Sequence, residues 1–524
     1  MTARFRDGPL ALLFSAIVAR ITDGSKTRAL ILAFGTAAAI GLRLFLADRP
    51  GFIGDGDIFR AWSRALATGQ PWHFYDSISS SDYAPGYLYV LWAFGELDRV
   101  LHFDAGQWNF LLKTPAIVAD LASAWLLYRL LEKRGAATQL ATTLIYLFFP
   151  PALLIGAFWG QVDSVLAFFL LLTVYFLAND RPVAGATAFM LGFLVKPQAA
   201  AALPFLAFWI LRQRPLQMDN GLPRVPKVWF ECVLIPLLFL ILLVTPFFPD
   251  EPWRFLTVLD HAANIDRYRV NSFWAFNFWS TGGMLNMGLH CDLPGRCAAG
   301  SAAATTFLGV PARYWGLGMF VAAIATIVGL LRNAKGTGYL ALGTALSVMA
   351  FYLLLTRMHE RYAFAAFLPL LLACAALKGR VLWGAFSLTA SLHFANLYYV
   401  FGVNYLFNEK GRSMYPDYVR WSPLYRWLGG HTNVPLIGHV ETVQVLSVLF
   451  VAAFALLLSN AGYLAHQSAT RPGDQERRYP RTDLWDVPSC QSTRSGRVRT
   501  SPGLSRCVGP CTLGASVCPE NRDP

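Results

Sequence analysis

Long, continuously apolar runs follow one another along most of this 524-residue chain, and charged residues gather where each run stops. The runs do not alternate residue by residue, so they read as helices and not as strands. About 20 apolar residues carry a helix across the hydrocarbon core, and only helices or closed barrels satisfy the backbone there. The expected fold is therefore all-α, a polytopic transmembrane helical bundle of about 12 spans.

The basic clusters orient these spans, since Lys and Arg collect on the cytoplasmic side. Residues 1–27 read as a cytoplasmic, interfacial segment; the apolar stretch 10–21 is too short to span and lacks a cleavage site, so it is not a removed signal. Residues 28–246 form a first transmembrane module, with an aromatic-rich first outer loop at 48–109 expected to lie as juxtamembrane helices on the outer surface. Within it the apolar stretch 183–211 has basic residues at both ends and is interrupted at Lys196-Pro197-Gln198. Two short half-helices fit that pattern, because Pro lacks an amide donor and disfavours helix at the residue before it. An outer loop at 247–311, a C-terminal module at 312–465 and a disordered cytoplasmic tail at 466–524 complete the chain.

With 55% hydrophobic and 14% charged residues, a soluble globule is excluded. The net charge of +13 follows from topology and the basic tail, so no nucleic-acid partner is expected. Cys232 and Cys374 lie in spans as packing residues, Cys291 and Cys297 share one outer loop where a disulfide is plausible, and the tail cysteines lack metal-ligand spacing.

This orientation puts Asp55, Asp57, Gln161, Asp163 and His359 on one outer face. Asp163 is equally a candidate N-cap. Lys196, at membrane depth, is costly unless it faces a polar cavity. The cluster Arg357, His359, Glu360 and Arg361 breaks the charge rule at a span end, and its forked donors suit phosphate. Carboxylates able to take a proton and cations able to hold a phosphate together match sugar transfer from a polyprenyl phosphate. No metal or other cofactor is expected, Asp55 and Asp57 being the one acidic pair that offers ligands.

At these residues the chain resembles the GT-C superfamily of integral-membrane glycosyltransferases. Within it the chain is similar to the dolichyl-phosphate-glucose-dependent glucosyltransferases and to bacterial proteins related to the second mannosyltransferase of GPI-anchor synthesis. The glucosyltransferase pattern falls on Gly54, Asp55, Asp57, Arg60 and Trp62, and its next segment on Asp82-Tyr83-Ala84-Pro85. Ile117 to Leu121, Gln161 to Ser164, Lys196 to Gln198 and His359-Glu360-Arg361 follow in the family's order. Asp163 stands where the glucosyltransferases tend to have Asn, and Arg361 where they have Lys. The resemblance implies an inverting hexosyltransferase with Asp55 as base, or Asp57 in the mannosyltransferase alignment. Arg60, Lys196, Gln198, Arg357, His359, Glu360 and Arg361 would contact donor or phosphate, Gln161 and Asp163 would shape the pocket, and Trp62 and Tyr83 would stack on sugar. Mannose is favoured over glucose, the acceptor is a glycan, lipid or glycolipid, and the implied setting is a bacterial plasma membrane with the site outside.

Two rivals predict other features. A transporter or lipid flippase would carry paired repeats and polar residues spread through the depth of many spans. An oligosaccharyl transferase would add a soluble outer domain.

Overall fold

The computed structural model describes residues 24–78, 81, 83–219, 222–264, 270–280, 306–407, 423–434 and 438–470. The N-terminal stretch 10–21, Asp82, Cys291, Cys297 and the tail cysteines lie outside them. The chain is an all-α, polytopic helical protein, with four short two-stranded ribbons among the described residues. Among those residues seven helices are long and apolar enough to cross a membrane. Asp163–Ala178, Pro182–Val195 and Phe364–Leu377 are apolar but shorter, which is why the described structure has fewer full-length spans than the apolar runs suggest.

Helix α1 (Ser25–Ala47) leads into α2 (Ile53–Thr68) and α3 (Pro85–Leu101). These two pack on each other around Phe59, Trp62, Phe74, Tyr87 and Leu91, so the aromatic residues of the first outer loop build a small core of their own. Helix α4 (Ala105–Leu130) opens with a capping box in which Asp104 and Gln107 satisfy each other's backbone amides. After α5 (Ala136–Leu147), Pro150 and Pro151 restart the chain and Leu153–Trp159 winds as a π-turn. The backbone turns left-handed at Gly160 (φ 94), where a glycine is needed, and both Gly160 and Gln161 donate their amides to the Ile155 carbonyl, at 3.2 and 2.9 Å.

Helices α6 (Asp163–Ala178) and α7 (Pro182–Val195) run antiparallel, so Asp163 and Lys196 share one end. The break expected at Lys196-Pro197-Gln198 is present: Lys196 is extended (φ −146, ψ 119), Pro197–Ala202 is a 3-10 segment, and α8 (Leu203–Gln213) continues. Helix α9 (Lys227–Val244) and α10 (Phe255–Asn264) follow, then α11 (Ala312–Leu331), α12 (Thr337–Leu354), α13 (Phe364–Leu377), α14 (Arg380–Phe407) and α15 (Thr442–Thr470). One apolar core draws on residues of α4 to α8 and of α11 to α15 together. Helix α12 lies at its centre, whereas α9 presents Phe230, Leu234, Leu238 and Leu242 outward, the expected face for lipid.

Candidate active site

The start of α2 carries both acidic residues of the Gly-Asp-Gly-Asp stretch, Asp55 in the first turn and Asp57 just after it, and a helix separates positions two apart by about 200°. Only one of them can therefore face a given pocket. Asp55 is half-buried; its Oδ2 accepts hydrogen bonds from Trp159 Nε1, at 3.1 Å, and from Gln161 Nε2. No donor reaches Oδ1 among the described residues. Asp57 is exposed on the other side of the helix.

Several contacts fix the start of α2. Lys113, buried on α4, donates to the carbonyls of Ala47, at 3.1 Å, and Arg49. Asn109, one turn earlier, donates to Arg49 O at 2.8 Å and accepts the Gly51 amide at 3.1 Å. The Phe52 amide donates to Trp159 O at 3.2 Å. A Cβ at Gly51 would come within 2.5 Å of that same carbonyl, so the connecting strand of chain lies directly on the end of the π-turn.

A second group enters from the helix break. The extended backbone that Pro197 imposes on Lys196 turns its side chain toward α6, where Nζ lies 2.9 Å from Asp163 Oδ2. Both side chains are buried, at 4% and 3% exposure, and Lys196 Nζ also sits 5.8 Å from the centre of the Tyr83 ring. Gly86 permits that approach: a Cβ there would come within 2.7 Å of the Leu194 carbonyl, so α3 and α7 meet backbone to backbone.

The turn between α12 and α13 supplies the rest. Met358–His359 pairs in parallel with Ser272–Phe273, and the two backbones flanking this pairing, Arg357 (φ 66) and Trp274 (φ 65), are both left-handed. Non-glycine residues hold such geometry only where surrounding contacts enforce it. Here the Arg357 amide donates to Val270 O and Asn271 O, both at 3.1 Å. From α14, Asn396 donates to Trp274 O at 2.8 Å and accepts from the Phe276 amide at 3.1 Å and from Tyr352 Oη at 2.6 Å. His359 is buried against Phe273, with ring centres 4.6 Å apart. Glu360 is buried, 2.9 Å from the Arg361 guanidinium and 3.8 Å from His359 Nδ1. Burial pushes the Glu360 carboxyl up, but Arg361 and His359 outweigh it and bring it down to about 2.

These groups meet. Arg361 interacts electrostatically with Glu360, Asp55 and Asp163, and Lys196 with Asp163, Arg361 and Asp55. Among the described residues, Gln161 Oε1, Arg361 Nε and, two residues beyond Lys196, Gln198 Oε1 are buried with no hydrogen-bond partner. A native interior rarely leaves such atoms orphaned, and several in one place mark a polar site that a ligand completes. Arg60 stands apart, half-buried 5.9 Å from the Trp108 ring. Trp62 is buried 5.5 Å from Tyr83 and 6.1 Å from Phe74, as part of the aromatic core and not as an open stacking surface. Among the described residues no three His, Cys, Asp or Glu side chains converge as metal ligands.

Trp159, Lys113, Asn109 and Asn396 were not among the residues expected from sequence. Lys113 and Asn396 each interrupt an apolar run, the signal that singled out Lys196 and that applied equally to them, whereas Asn109 closes the first outer loop and carried no such mark.

A family model for the ALG6, ALG8 glycosyltransferase family matches residues 98–459, more than half of the chain. No curated protein matches it.

Proposed function

Because this chain belongs to the ALG6, ALG8 glycosyltransferase family, we propose that it is an inverting hexosyltransferase that uses a polyprenyl-phosphate sugar, with Asp55 as its base. That it is an integral-membrane glycosyltransferase follows from the family and the apolar helices, and this sets the transporter reading aside. The donor, the acceptor and the residue roles are our reading.

One observation carries the choice of base: both donors to Asp55, from Trp159 and Gln161, fall on Oδ2. The carboxylate is held at one oxygen and can accept a proton at the other. In the reaction, Oδ1 takes the proton of the acceptor hydroxyl as that oxygen bonds to C1 of the hexose. The C1–O bond to phosphate breaks on the opposite face, its electron pair stays on the phosphate oxygen, and polyprenyl phosphate leaves with the configuration at C1 inverted. Lys196 and Arg361 offset the charge that grows on the leaving phosphate, where fixed donors in a dry site act most strongly. Asp163 and Glu360 keep these two cations in place before the donor arrives. His359 and Gln198 complete the donor pocket and Tyr83 lines its sugar side. No step requires a metal, and we place Asp57, Arg60 and Trp62 outside the reacting groups.

The family favours glucose, whereas the likeness of Trp159-Gly160-Gln161-Val162-Asp163-Ser164 and His359-Glu360-Arg361-Tyr362 to the bacterial mannosyltransferase-related proteins favours mannose. Purified protein incubated with a panel of polyprenyl-phosphate sugars decides this. Consumption of the glucose or the mannose donor, with release of polyprenyl phosphate, supports the reading, and consumption of neither with any glycan or lipid acceptor contradicts it.

A further inference from the structure

A cavity of about 1470 Å³ lies between the far ends of α6 and α7 and the start of α9. Helix α6 runs 16 residues from Asp163, so the cavity's rim at Asp180 and Arg181 lies about 24 Å from the candidate active site, while its nearest lining residue, Leu191, lies about 8 Å along α7 from Lys196. Its inner walls are apolar, formed by Leu172, Phe176, Leu191 and Phe230, while its rim carries Asp180, Arg181, Arg214 and Lys227.

The rim is positive overall. Asp180 holds Arg214 through both carboxylate oxygens, at 2.6 and 2.7 Å, and Lys227 lies 3.1 Å from Glu231, one turn along α9 and outside the cavity lining. Arg181 is exposed, and among the described residues no carboxylate lies within ion-pair distance of it. Phe230 and the outward face of α9 are exposed, so the apolar part opens toward the bilayer. Basic residues at an ordinary helix end would lie on a flat surface; here they border an open, apolar-lined recess.

We propose that this crevice binds an anionic phospholipid, its phosphodiester between Arg181 and Lys227 and its acyl chain along Leu172, Phe176 and Leu191. Basic pockets between membrane helices recognise anionic headgroups through this combination of charge and apolar depth. The sugar donor is a poor occupant of the rim, because a sugar phosphate held between Arg181 and Lys227 would lie some 20 Å or more from Asp55. The site is thus a second lipid site, independent of the assignment of the reaction.

Native mass spectrometry on detergent-purified protein offered equal phosphatidylglycerol and phosphatidylcholine tests this. The wild type is expected to retain the anionic lipid about tenfold more, and R181Q/K227Q to bind the two equally while keeping its melting temperature and its hexosyl transfer. Ala184→Trp, which fills the cavity without touching a charge, should lower retention of both lipids. No preference in the wild type, an unchanged preference in R181Q/K227Q, or displacement of phosphatidylglycerol by polyprenyl phosphate would each overturn the proposal.

Discussion

Among the described residues two ion pairs are buried between helices, and they differ in the charges that surround them. Arg43 and Asp120 join α1 to α4 at 3.3 Å with no exposed surface. Tyr146 Oη donates to Asp120 Oδ1 at 2.9 Å and Arg43 also donates to Leu147 O at 2.6 Å, while beside them only the neutral Ser123 and Ser164 hydroxyls have no hydrogen-bond partner among the described residues. Lys196 and Asp163 are nearly as buried, yet Arg361 and Asp55 lie within electrostatic reach and orphaned amide oxygens stand nearby. Sequence position does not separate the pairs, since Arg43, Asp120 and Lys196 all interrupt apolar runs. Closure of the charge does: a cation matched by one carboxylate, the pair tied to a phenol and a carbonyl, fastens helices, and a pair with a further cation and carboxylate in reach has a charged ligand to meet.

Breaking the closed pair should cause the largest loss. Asp120→Ala leaves Arg43 buried without its counter-charge, and a broken buried pair costs about 3–5 kcal/mol. Thermal unfolding in detergent should register that fall, while transfer per folded molecule stays near the wild-type value. Lys196→Met should reverse the pattern, with transfer reduced about 10²- to 10³-fold and a smaller loss of melting temperature, because the lost interaction acts on the leaving phosphate. Equal losses of stability in both variants would erase the distinction.

A finer cut falls on the mount of Asp55. Trp159→Phe removes one of the two donors to Oδ2 but keeps the ring; it should lower kcat about tenfold with KM unchanged, the signature of a group that orients the base. A rise in KM at constant kcat would instead make Trp159 a binding residue.

The smallest effect concerns pH. Glu360 has a folded pKa near 2, below its ordinary 4.5, so its contribution to stability is complete above 4.5 and is lost as the pH falls toward 2. Glu360→Gln should therefore flatten the decline in melting temperature between pH 4.5 and 2.5 and leave any pH dependence of transfer above pH 5 unchanged.

Much of this was legible in the sequence, for local reasons. Apolar runs gave the helices, and Pro197 gave the break that turns Lys196 inward, because both effects act within a few residues. Asp55 could not be told from Asp57, since the choice rests on those positions being helical and on Trp159 and Gln161, about a hundred residues away, reaching one of them. The same distance hid the role of residues 270–280, which in the sequence are part of the outer loop 247–311 and which Asn396 ties to the His359 turn. A π-turn, too, leaves no periodic mark when it is only seven residues long.

The central claim is tested most directly by comparing Asp55→Asn with Asp57→Asn in single-turnover transfer from polyprenyl-phosphate glucose and mannose. Asp55→Asn should lose about 10³-fold or more in rate at unchanged melting temperature, and Asp57→Asn should remain within about threefold of wild type. Full transfer by Asp55→Asn, or the larger loss in Asp57→Asn, would contradict the account.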